Sequence, residues 1–335
     1  MKLHIGVVGA GSVSHPHLRA FNRNPLVERV TVADPNSRAI ERLSARYRVD
    51  GAVEDYRRLL DDPTINVIDI CLPHHLHHPI ALEAFQAGKD VLTEKPMALT
   101  LAQADEMMAA AEAAGLRFYV SLNQLFLPAV ERADKLLALG KIGKPFLAVI
   151  TIVGQDERIR DPASWKGTWE RAGGGVLIDT GMHPLYLLEH FFGPPLAVTA
   201  HTPRLVIEAE NKADDTALLI LEYADHVVVS VTMTYAAYGD LWREERHIYG
   251  TEGSLHILDD ESVPLFLVRD GRKRRIAIRP LGPPWQLSIQ RSLDHFLDCY
   301  VHERGFRIVP AQARSALHTA LAAYESAREG RRTPL

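Results

Sequence analysis

The chain has 335 residues, a hydrophobic content of 47%, a charged content of 24% and a formal net charge of −4. This length exceeds one typical domain and favours two. The mild charge gives no broad electrostatic reason to bind nucleic acid or an anionic membrane, and no apolar run reaches the roughly 18 residues of a membrane span. Two cysteines without metal or redox spacing, and an N-terminus without a signal pattern, predict a cytoplasmic protein with reduced thiols.

One basic cluster occupies residues 269–275, between the apolar runs 265–268 and 276–278. It contains Asp270-Gly271, a dipeptide typical of two-residue hairpin turns. We therefore predict a solvated hairpin here rather than a nucleic-acid site.

The apolar run Leu3–Val8 predicts a buried strand that leads into Gly9-Ala-Gly11 and then into a helix ending near Arg23. A strand, a glycine turn and a helix are the context of a dinucleotide-binding fingerprint. Gly9 permits the tight turn, Gly11 lets backbone N–H groups approach a pyrophosphate, and the helix N-terminus stabilises its negative charge. Ser14 stands where the third fingerprint glycine is expected, which weakens the match.

Asp34 follows the second predicted strand, Val30–Ala33, about 20 residues after the fingerprint. A carboxylate there hydrogen-bonds the ribose 2′-OH of NAD and repels the 2′-phosphate of NADP. The alternative is that Asp34-Pro35-Asn36 only caps the next helix. We favour NAD as the cofactor, and because Arg38 could reach a phosphate, NADP is disfavoured rather than excluded.

Strands and helices then alternate as far as residue 120, which predicts an α/β Rossmann fold, a doubly wound parallel sheet with helices on both faces. The later predicted strands are 67–72, 91–92 and 117–120, and the predicted helices are 39–47, 80–87 and 101–114. Two strand-end loops should reach one crevice, because the carboxyl ends of parallel strands share an edge of the sheet.

The first of these loops, residues 72–78, contains four histidines at positions 74, 75, 77 and 78. A strand-end loop cannot easily aim all four at one ion, so we expect no metal, but a cofactor contact from one or two of them. The second loop is Glu94-Lys95-Pro96. Proline disfavours the αR conformation at the preceding residue, which holds Lys95 extended and able to direct its ammonium group at a ligand.

Residues 173–190 carry a second group of candidates. Gly173-Gly174-Gly175 predicts a flexible entry to a helix over 176–190, in which Asp179 and His183 are four residues apart. That spacing places both on one helix face, where a carboxylate can orient an imidazole and support its proton for acid/base chemistry. The alternative is a structural pair in which Asp179 only satisfies His183.

The remainder of the second half predicts mainly strands joined by turns, and hence an antiparallel sheet. The predicted strands are 146–153, 197–206, 217–223, 227–233, 244–249, 254–257 and 265–268. Two helices, near 285–301 and 311–328, are predicted to close the chain.

In their order and spacing, these motifs resemble the Gfo/Idh/MocA oxidoreductase family over nearly the whole chain. The resemblance is carried by Gly9-Ala-Gly11, Asp34, Pro73-x-x-x-His77, Ala87-Gly88-Lys89, Glu94-Lys95-Pro96, Gly140-Lys-Ile-Gly143, Gly173-Gly174-Gly175 with Asp179 and His183, and Ala322–Gly330. It implies a Rossmann domain at residues 1–122 and, at 123–335, an α+β substrate-binding domain. The large open antiparallel sheet of that second domain is expected to form homodimer or homotetramer contacts, and its last helices are free to pack back on the first domain.

The resemblance also implies the reaction and its site. A hydride moves between NAD and a secondary alcohol of a sugar, sugar derivative or cyclitol, which lies between the nicotinamide and the 176–190 helix. His183 takes the hydroxyl proton, Lys95 stabilises the alkoxide, and Asp179 binds a neighbouring hydroxyl or orients His183. The expected cofactor contacts are Gly9, Gly11, Ser12, Val13, Asp34, Leu72, Pro73, His74, His77, Glu94, Lys95 and Asn123. The expected substrate contacts are Gln124, Arg158, Trp165 and Tyr238.

Two departures from the family pattern leave the substrate open, since Leu125 stands where many members carry arginine and His74 stands where asparagine is common. Two other functions of the same fold also stay open, namely NAD-dependent redox-neutral glycoside cleavage and a non-catalytic sugar or nucleotide sensor. The joint presence of Lys95, Asp179 and His183 favours the dehydrogenase, because a sensor needs no acid/base pair.

Overall fold

The computed structural model of the protein describes residues 2–159, 161, 164–207, 213–239, 242–258, 264–278 and 283–335. The chain forms two compact units. The first comprises Met1–Asn123 and Ser288–Arg314, and the second comprises Gln124–Leu287 and Ser315–Leu335. Ser288–Arg314 therefore groups with the first unit, whereas the sequence analysis assigned all of 123–335 to the second domain and left the packing of its last helices open.

Each element predicted in the first 122 residues is present, with limits that shift by a few residues, and β3 and α3 are additional. The strands are β1 (Leu3–Val8), β2 (Val27–Ala33), β3 (Gly51–Val53), β4 (Val67–Ile70), β5 (Asp90–Thr93), β6 (Phe118–Val120), β7 (Pro145–Val153), β8 (Ala197–His201), β9 (Thr216–Glu222), β10 (Val228–Thr234), β11 (Arg243–Gly250), β12 (Gly253–Leu258), β13 (Leu265–Arg269), β14 (Arg272–Arg275) and β15 (Thr333–Pro334). The α-helices are α1 (Ser14–Arg23), α2 (Ser37–Ser44), α3 (Arg57–Asp61), α4 (His77–Gln86), α5 (Leu101–Ala113), α6 (Pro128–Ala138), α7 (Trp169–Ala172), α8 (Val176–Asp179), α9 (Met182–Phe192), α10 (Pro284–Val301) and α11 (Pro310–Glu329). Within the described ranges, no helix combines the length and the apolar character needed to cross a bilayer.

The first unit is built on a parallel six-stranded sheet in the order β3-β2-β1-β4-β5-β6. β1 and β4 are buried along their whole length, as strands covered on both faces are. After β3 the chain crosses to the other side of β1, so the direction of the strand order reverses between β1 and β4. Ligands of open α/β sheets bind at the carboxyl ends of the strands beside such a reversal. The predicted Rossmann fold is confirmed.

The second unit contains a nine-stranded sheet in the order β14-β13-β12-β11-β7-β10-β9-β8-β15. Neighbouring strands pair antiparallel except β7 and β10, which run parallel with Val153 opposite Thr234 near their carboxyl ends. The predicted antiparallel sheet is therefore wrong at this one pair. β7 enters the sheet from an earlier part of the chain, and three helices and two strands separate it from β10, which is long enough for a parallel crossover.

β13 and β14 form the predicted hairpin in the basic segment. Asp270 and Gly271 have φ values of 52° and 67°, and a two-residue type I′ turn needs positive φ at both positions. β14 is exposed along its length, and Lys273 Nζ lies 4.2 Å from the centroid of the Phe266 ring. The hairpin prediction is confirmed.

Candidate active site

The surroundings of the turn after β1 explain why glycines occupy positions 9 and 11 and why serine occupies position 14. Gly9 has a φ of +105°, and a Cβ there would lie 2.4 Å from the carbonyl oxygen of Cys71, so only glycine fits. Ser14 Oγ donates a hydrogen bond of 2.7 Å to Gly9 O, so the serine at the third fingerprint position fastens the turn. A Cβ at Gly11 would meet no atom within 4 Å, which leaves open space beside the turn.

The N-terminus of α1 is suited to an anion. Val13 is the N-cap residue, no side chain caps the helix, and its first turn has no acidic residue. Gly11 and Ser12, which precede it, are exposed. Backbone N–H groups without a side-chain cap and the helix dipole together favour a phosphate at this position.

Asp34 closes the same turn from the end of β2. Its Oδ2 accepts a hydrogen bond from the Ala10 N–H at 2.7 Å, and its Oδ1 accepts one from the Asn36 N–H at 2.8 Å. The N-cap of α2 is Asn36, whose side chain accepts from the Ala39 N–H, so the capping role considered for Asp34 belongs to Asn36. The half-buried Asp34 carboxylate keeps lone pairs for a ribose hydroxyl, because each of its oxygens can accept two hydrogen bonds.

His77 ties the two strand-end loops of the first unit together. Its ring is fully buried, with Nδ1 2.8 Å from Pro96 O and Nε2 2.8 Å from Leu72 O. Burial lowers the pKa of His77, and the two carbonyl groups oppose that shift. The structure thus gives His77 a positioning role, and its cofactor contact stays a prediction.

The remaining predicted contacts in this loop surround His77. His74 is buried, with its ring centroid 5.9 Å from that of His77, and Leu72 and Pro73 are half-buried. His78 takes a different direction, since its Nε2 lies 2.8 Å from Glu106 Oε2. His77 and His78 therefore contact separate partners.

The Glu94 carboxylate belongs to a buried ion-pair array. His17 Nε2 lies 3.1 Å from Glu94 Oε1, and His17 Nδ1 lies 2.9 Å from Asp69 Oδ2. Burial acts to lower the pKa of His17, but the Asp69 carboxylate raises it well above its usual value, so the imidazole is charged. The array fixes Glu94, and with it the half-buried Lys95 that follows, at the end of β5. The Lys95–Pro96 peptide bond is cis.

Among the residues that the structure describes, His17, Asp69 and Cys71 lie together at the spacing of metal ligands. Both ring nitrogens of His17 are already engaged, with Asp69 and with Glu94, and burial raises the pKa of the Cys71 thiol to about 12. Metals bind thiolate and neutral imidazole. We interpret the group as part of the structural core of the first unit.

Asn123 joins the two segments of the first unit. It is buried, and its Nδ2 donates a hydrogen bond of 2.7 Å to Ser288 Oγ. Tyr119 on β6 lies within 3.1 Å of Ser292 Oγ through its hydroxyl. Asn123 is thus held at the end of the Rossmann sheet, and its cofactor contact stays a prediction.

The helix predicted over 176–190 is broken into α8 and α9. A Cβ at Gly181, between them, would lie 2.2 Å from Leu177 O, so the chain packs tightly against itself at the break. Asp179 and His183 therefore lie on two consecutive helices, and the prediction that they share one face of a single helix is wrong.

The Asp179 carboxylate faces a cation and a phenol. Lys166 Nζ contacts Asp179 Oδ2 and also donates a hydrogen bond of 3.1 Å to Asp156 Oδ2. Tyr235 donates to the same oxygen of Asp179 at 2.7 Å. Burial raises the pKa of Tyr235 well above its usual value, and the Asp179 charge raises it further, so the phenol stays protonated. These donors stabilise Asp179 as an anion at the end of α8.

The parallel pairing of β7 with β10 explains why these groups meet. Asp156 comes shortly after β7, and Tyr235 directly follows β10. Because the two strands run in the same direction, both residues leave the sheet at one edge. Lys166, in the turn Trp165–Gly167, connects Asp156 to Asp179 at that edge.

His183 is held through one ring nitrogen. Its Nδ1 lies 2.7 Å from Tyr186 Oη, which also accepts the Gln124 N–H at 3.0 Å. The two rings are buried edge to face, with centroids 5.6 Å apart. When His183 takes up a proton at Nε2, its Nδ1 carries the other proton and donates a hydrogen bond to Tyr186 Oη. This hydrogen bond is the support that an acid/base imidazole needs.

A buried polar cluster lies beside His183. Gln124 Nε2 donates to Glu244 Oε2 at 3.0 Å, and Gln124 Oε1 accepts from Arg246 at 2.7 Å. Arg246 also contacts Glu244 directly. Burial alone would raise the pKa of Glu244, but Arg246 and the nearby His183 lower it. The Glu244 carboxylate therefore lies close enough to His183 to interact with it, and Gln124 is part of this network.

The other predicted substrate contacts differ in their surroundings. Trp165 is half-buried, with Lys166 Nζ 5.9 Å from its ring centroid. The Arg158 guanidinium binds the Asp156 carboxylate through two hydrogen bonds, with Nε and Nη2 each 2.7 Å from a carboxylate oxygen. Tyr238 is 85% exposed, so its predicted substrate contact has the weakest support.

A buried carboxylate fixes the glycine triplet before α8. Asp214 accepts hydrogen bonds from the Gly175 N–H at 2.7 Å, the Leu177 N–H at 2.9 Å and the Tyr324 hydroxyl at 2.7 Å. A Cβ at Gly175 would lie 1.8 Å from Asp214 O, and one at Gly174 would lie 2.1 Å from the Tyr324 hydroxyl. The triplet predicted as a flexible entry is instead a close-packed segment that sets where α8 begins.

The sequence did not reveal the polar residues that surround Asp179 and His183 or that fix the segment before α8. They are Asp156, Lys166, Tyr186, Asp214, Tyr235, Glu244 and Arg246. Two of them stand in a recognisable sequence pattern. Lys166 directly follows Trp165, and Asp214 belongs to an acidic pair just before β9. Both patterns indicate buried charge only once the strand pairing is known.

Two family profiles match the chain. The first, described as an oxidoreductase family with an NAD-binding Rossmann fold, covers residues 3–122, and the second, the GFO/IDH/MocA C-terminal domain, covers residues 130–256. Together they span more than half of the sequence, which confirms the family resemblance and NAD as the cofactor.

Individual relatives match most of the chain. Levoglucosan dehydrogenase of Pseudarthrobacter phenanthrenivorans is 28% identical over 284 residues, which cover 76% of this chain and 73% of that protein. Myo-inositol 2-dehydrogenase of Thermotoga maritima is 24% identical, over 76% of this chain and 72% of that protein. The solved structure of a levoglucosan dehydrogenase with NADH and levoglucosan shares the fold, with a TM-score of 0.91 at 24% identity over 100% of this chain and 99% of that one. This protein thus belongs to the Gfo/Idh/MocA family of oxidoreductases, and its first 122 residues contain the NAD-binding Rossmann fold of that family.

Proposed function

We propose that the protein is a dehydrogenase that moves a hydride between NAD and a secondary alcohol of a sugar, sugar derivative or cyclitol. The observation that carries the proposal is the buried imidazole of His183, with a phenol on Nδ1 and the Glu244 carboxylate beside it. It lies four residues after Asp179, whose carboxylate accepts a hydrogen bond from Tyr235 and contacts Lys166. An imidazole so supported suits the removal of a proton from a hydroxyl group. The names of the relatives, levoglucosan dehydrogenase and myo-inositol 2-dehydrogenase, support a polyhydroxylated substrate.

Each proposed catalytic residue has one task. His183 takes the hydroxyl proton at Nε2 while its Nδ1–H donates to Tyr186. Lys95, a cation at the end of β5, stabilises the charge that develops on the alcohol oxygen. Asp179 accepts a hydrogen bond from a neighbouring hydroxyl. When bound, NAD supplies the acceptor for the hydride that leaves the carbon, so the alcohol loses one proton and one hydride and becomes a ketone.

The experiment that tests this proposal is a screen for NADH formation at 340 nm. Purified protein would be mixed with NAD, and separately with NADP, against inositols, aldoses, anhydrosugars, sugar acids and deoxysugars. We expect NADH with one class of substrate, a weaker response with NADP, and loss of the signal in Lys95→Met. A protein that retains bound NAD through purification but releases no NADH with any substrate would contradict the dehydrogenase and favour the redox-neutral or sensor function.

The residues at the end of β1 fit the proposed cofactor position. The uncapped start of α1 with the exposed Gly11 and Ser12 suits the pyrophosphate, and the Asp34 carboxylate suits the ribose. We place the nicotinamide end near Lys95, because β4 and β5 deliver the two strand-end loops that His77 ties together.

Two neighbouring alanine substitutions should separate cofactor binding from stability. Gly11→Ala adds a Cβ where the structure has open space, so we expect an unchanged melting temperature but a Kd for NAD raised about tenfold or more, since the added methyl blocks the backbone from the pyrophosphate. Gly9→Ala puts a Cβ 2.4 Å from Cys71 O, so we expect a loss of about 1–3 kcal/mol of stability.

Calorimetric titration with NAD and thermal melts would measure both effects. Gly305→Ala is the control, because its Cβ also meets no atom within 4 Å and lies far from the turn in sequence. If Gly11→Ala bound NAD as tightly as the wild type, the pyrophosphate would not lie at this turn.

We propose further that the protein self-associates through the open face of its nine-stranded sheet. Leu218 and Ile220 on β9 and Val228 on β10 are 42%, 46% and 39% exposed. Alternate residues of a strand point to the same face, and Val228 is the cross-strand partner of Glu222, so all three apolar side chains share one face with it. Exposed apolar side chains that adjoin on a sheet indicate an interaction surface, and a second copy of the chain is the occupant that the family resemblance favours.

Ile220→Glu should therefore convert the oligomer to a monomer, because it places a charge in an apolar contact. Light scattering coupled to size-exclusion chromatography would measure the mass. Leu139→Glu, which changes a 65% exposed leucine at the end of α6, should leave the mass unchanged. A wild-type monomer, or an oligomer that survives Ile220→Glu, would exclude this interface.

We also propose a cytoplasmic location. Cys71 and Cys299 are both free thiols in buried positions, which agrees with a reducing compartment. Fractionation of cells that express the tagged chain would test the location, and recovery outside the cytoplasm would overturn it.

A further inference from the structure

Lys166 connects two buried carboxylates in the second unit. Its Nζ donates to Asp156 Oδ2 at 3.1 Å and contacts Asp179 Oδ2. The three side chains are only 14%, 7% and 13% exposed, in the order Lys166, Asp156, Asp179. Charges removed from water to this extent interact strongly, because little solvent screens them.

Other charged and titratable groups lie around this lysine. Arg158 binds both oxygens of Asp156, so Asp156 has a guanidinium on one side and the ammonium of Lys166 on the other. Tyr235 also contacts Asp179, and it donates a hydrogen bond while protonated. The Arg158 guanidinium acts on both carboxylates, since Asp156, and to a lesser extent Asp179, raises its pKa. Lys166 is a cation in direct contact with both carboxylates.

We propose that Lys166 is a positioning residue for Asp179, which keeps that carboxyl ionised and fixes the orientation of its Oδ2. The inference rests on the proposed role of Asp179 at the substrate. An ionised carboxylate accepts a hydrogen bond from a sugar hydroxyl, whereas a protonated carboxyl group offers a donor instead. Without Lys166, Asp179 would lose the ammonium group in contact with its Oδ2. Its burial and the neighbouring charge of Asp156 would then favour the protonated form.

The pH dependence of kcat/KM tests this proposal on the substrate found in the screen. In Lys166→Met the acidic limb should move to higher pH by about one unit or more, because an opposite charge in contact typically shifts a carboxyl pKa by 1–3 units, and activity should recover on the alkaline side. Lys166→Arg keeps the cation and should keep the limb in place. Lys135→Met removes an exposed lysine of α6 and is the control for the loss of a positive charge.

A double-mutant cycle tests the same contact without any substrate. Melting temperatures would be compared for the wild type, Lys166→Met, Asp179→Asn and the double variant at pH 8 and pH 4.5. We expect Lys166→Met to lower the melting temperature more in the wild type than in the Asp179→Asn background at pH 8. The difference should shrink at pH 4.5, where the Asp179 carboxyl that has lost Lys166 takes up a proton while that of the wild type stays ionised.

The outcomes separate this proposal from the proposed function. A coupling that is absent at pH 8, or a Lys166→Met variant that loses the same fraction of kcat/KM at every pH, would overturn the positioning role and leave Lys166 as a packing residue. A wild-type chain that turns over nothing in the screen would overturn the dehydrogenase, while the cycle of melting temperatures would still decide whether Lys166 holds Asp179 ionised.

Discussion

Replacing His183 with glutamine is expected to lower kcat by about 10²–10⁴-fold, the usual loss when one positioned proton-transfer group is removed. Glutamine is polar and of similar size, so the packing against Tyr186 should persist. It has no group that takes up a proton near neutral pH. The Kd for NAD should stay unchanged, because the cofactor contacts proposed above do not include His183.

Steady-state kinetics and calorimetric titration with NAD would measure the two quantities. His190→Gln is the matched control, because His190 also lies on α9, where its Nε2 is 3.4 Å from Asp134 Oδ1 and has no part in the proposed chemistry. A His183→Gln variant that turned over at a near-wild-type rate would remove His183 from the mechanism. A variant that also lost NAD binding would show that the substitution had disturbed the structure beyond the His183 side chain.

The sequence alone is enough for the parts of this protein that local pattern determines. β1, the glycine turn and α1 follow one another within about 20 residues, and each is specified by its own apolar run, turn residues and helix start. Lys95, Asp179 and His183 could be named as candidates for the same reason, since each stands in a short motif.

What the sequence could not provide were the partners of those candidates. Tyr235 is 56 residues from Asp179, and Glu244 is 120 residues from Gln124. Such pairs meet only through the order and direction of the strands, and the parallel pairing of β7 with β10 is not visible in either strand. Buried charged side chains whose partners are distant in sequence can therefore be recognised only in the assembled sheet.

The break between α8 and α9 escaped prediction for a different reason. The apolar periodicity continues through Thr180 and Gly181, so the pattern indicates one helix. The contact that interrupts it lies between Gly181 and the Leu177 carbonyl, a packing detail that spacing does not encode. The glycine triplet misled in the same way, because glycine marks close approach as often as flexibility.

That triplet gives the largest expected effect on stability. In Gly175→Ala the new Cβ would lie 1.8 Å from Asp214 O and 2.7 Å from the backbone nitrogen and carbonyl carbon of the same residue. These are backbone atoms just before β9, so no side-chain rotation relieves the overlap. Either the start of α8 or the start of β9 must move, and the hydrogen bonds from the Gly175 and Leu177 N–H groups to the Asp214 carboxylate would be strained or lost.

We expect Gly175→Ala to cost about 2–4 kcal/mol, the sum of overpacking and weakened hydrogen bonds to a buried carboxylate, and to lower the melting temperature by about 5–15 °C. Gly305→Ala serves as the control, because its Cβ would meet no atom within 4 Å. The fraction that still folds should also show a lower kcat, since α8 places Asp179 at its last position. An unchanged melting temperature for Gly175→Ala would mean that the turn relaxes freely, and that Asp214 and Tyr324 do not fix the entry to α8.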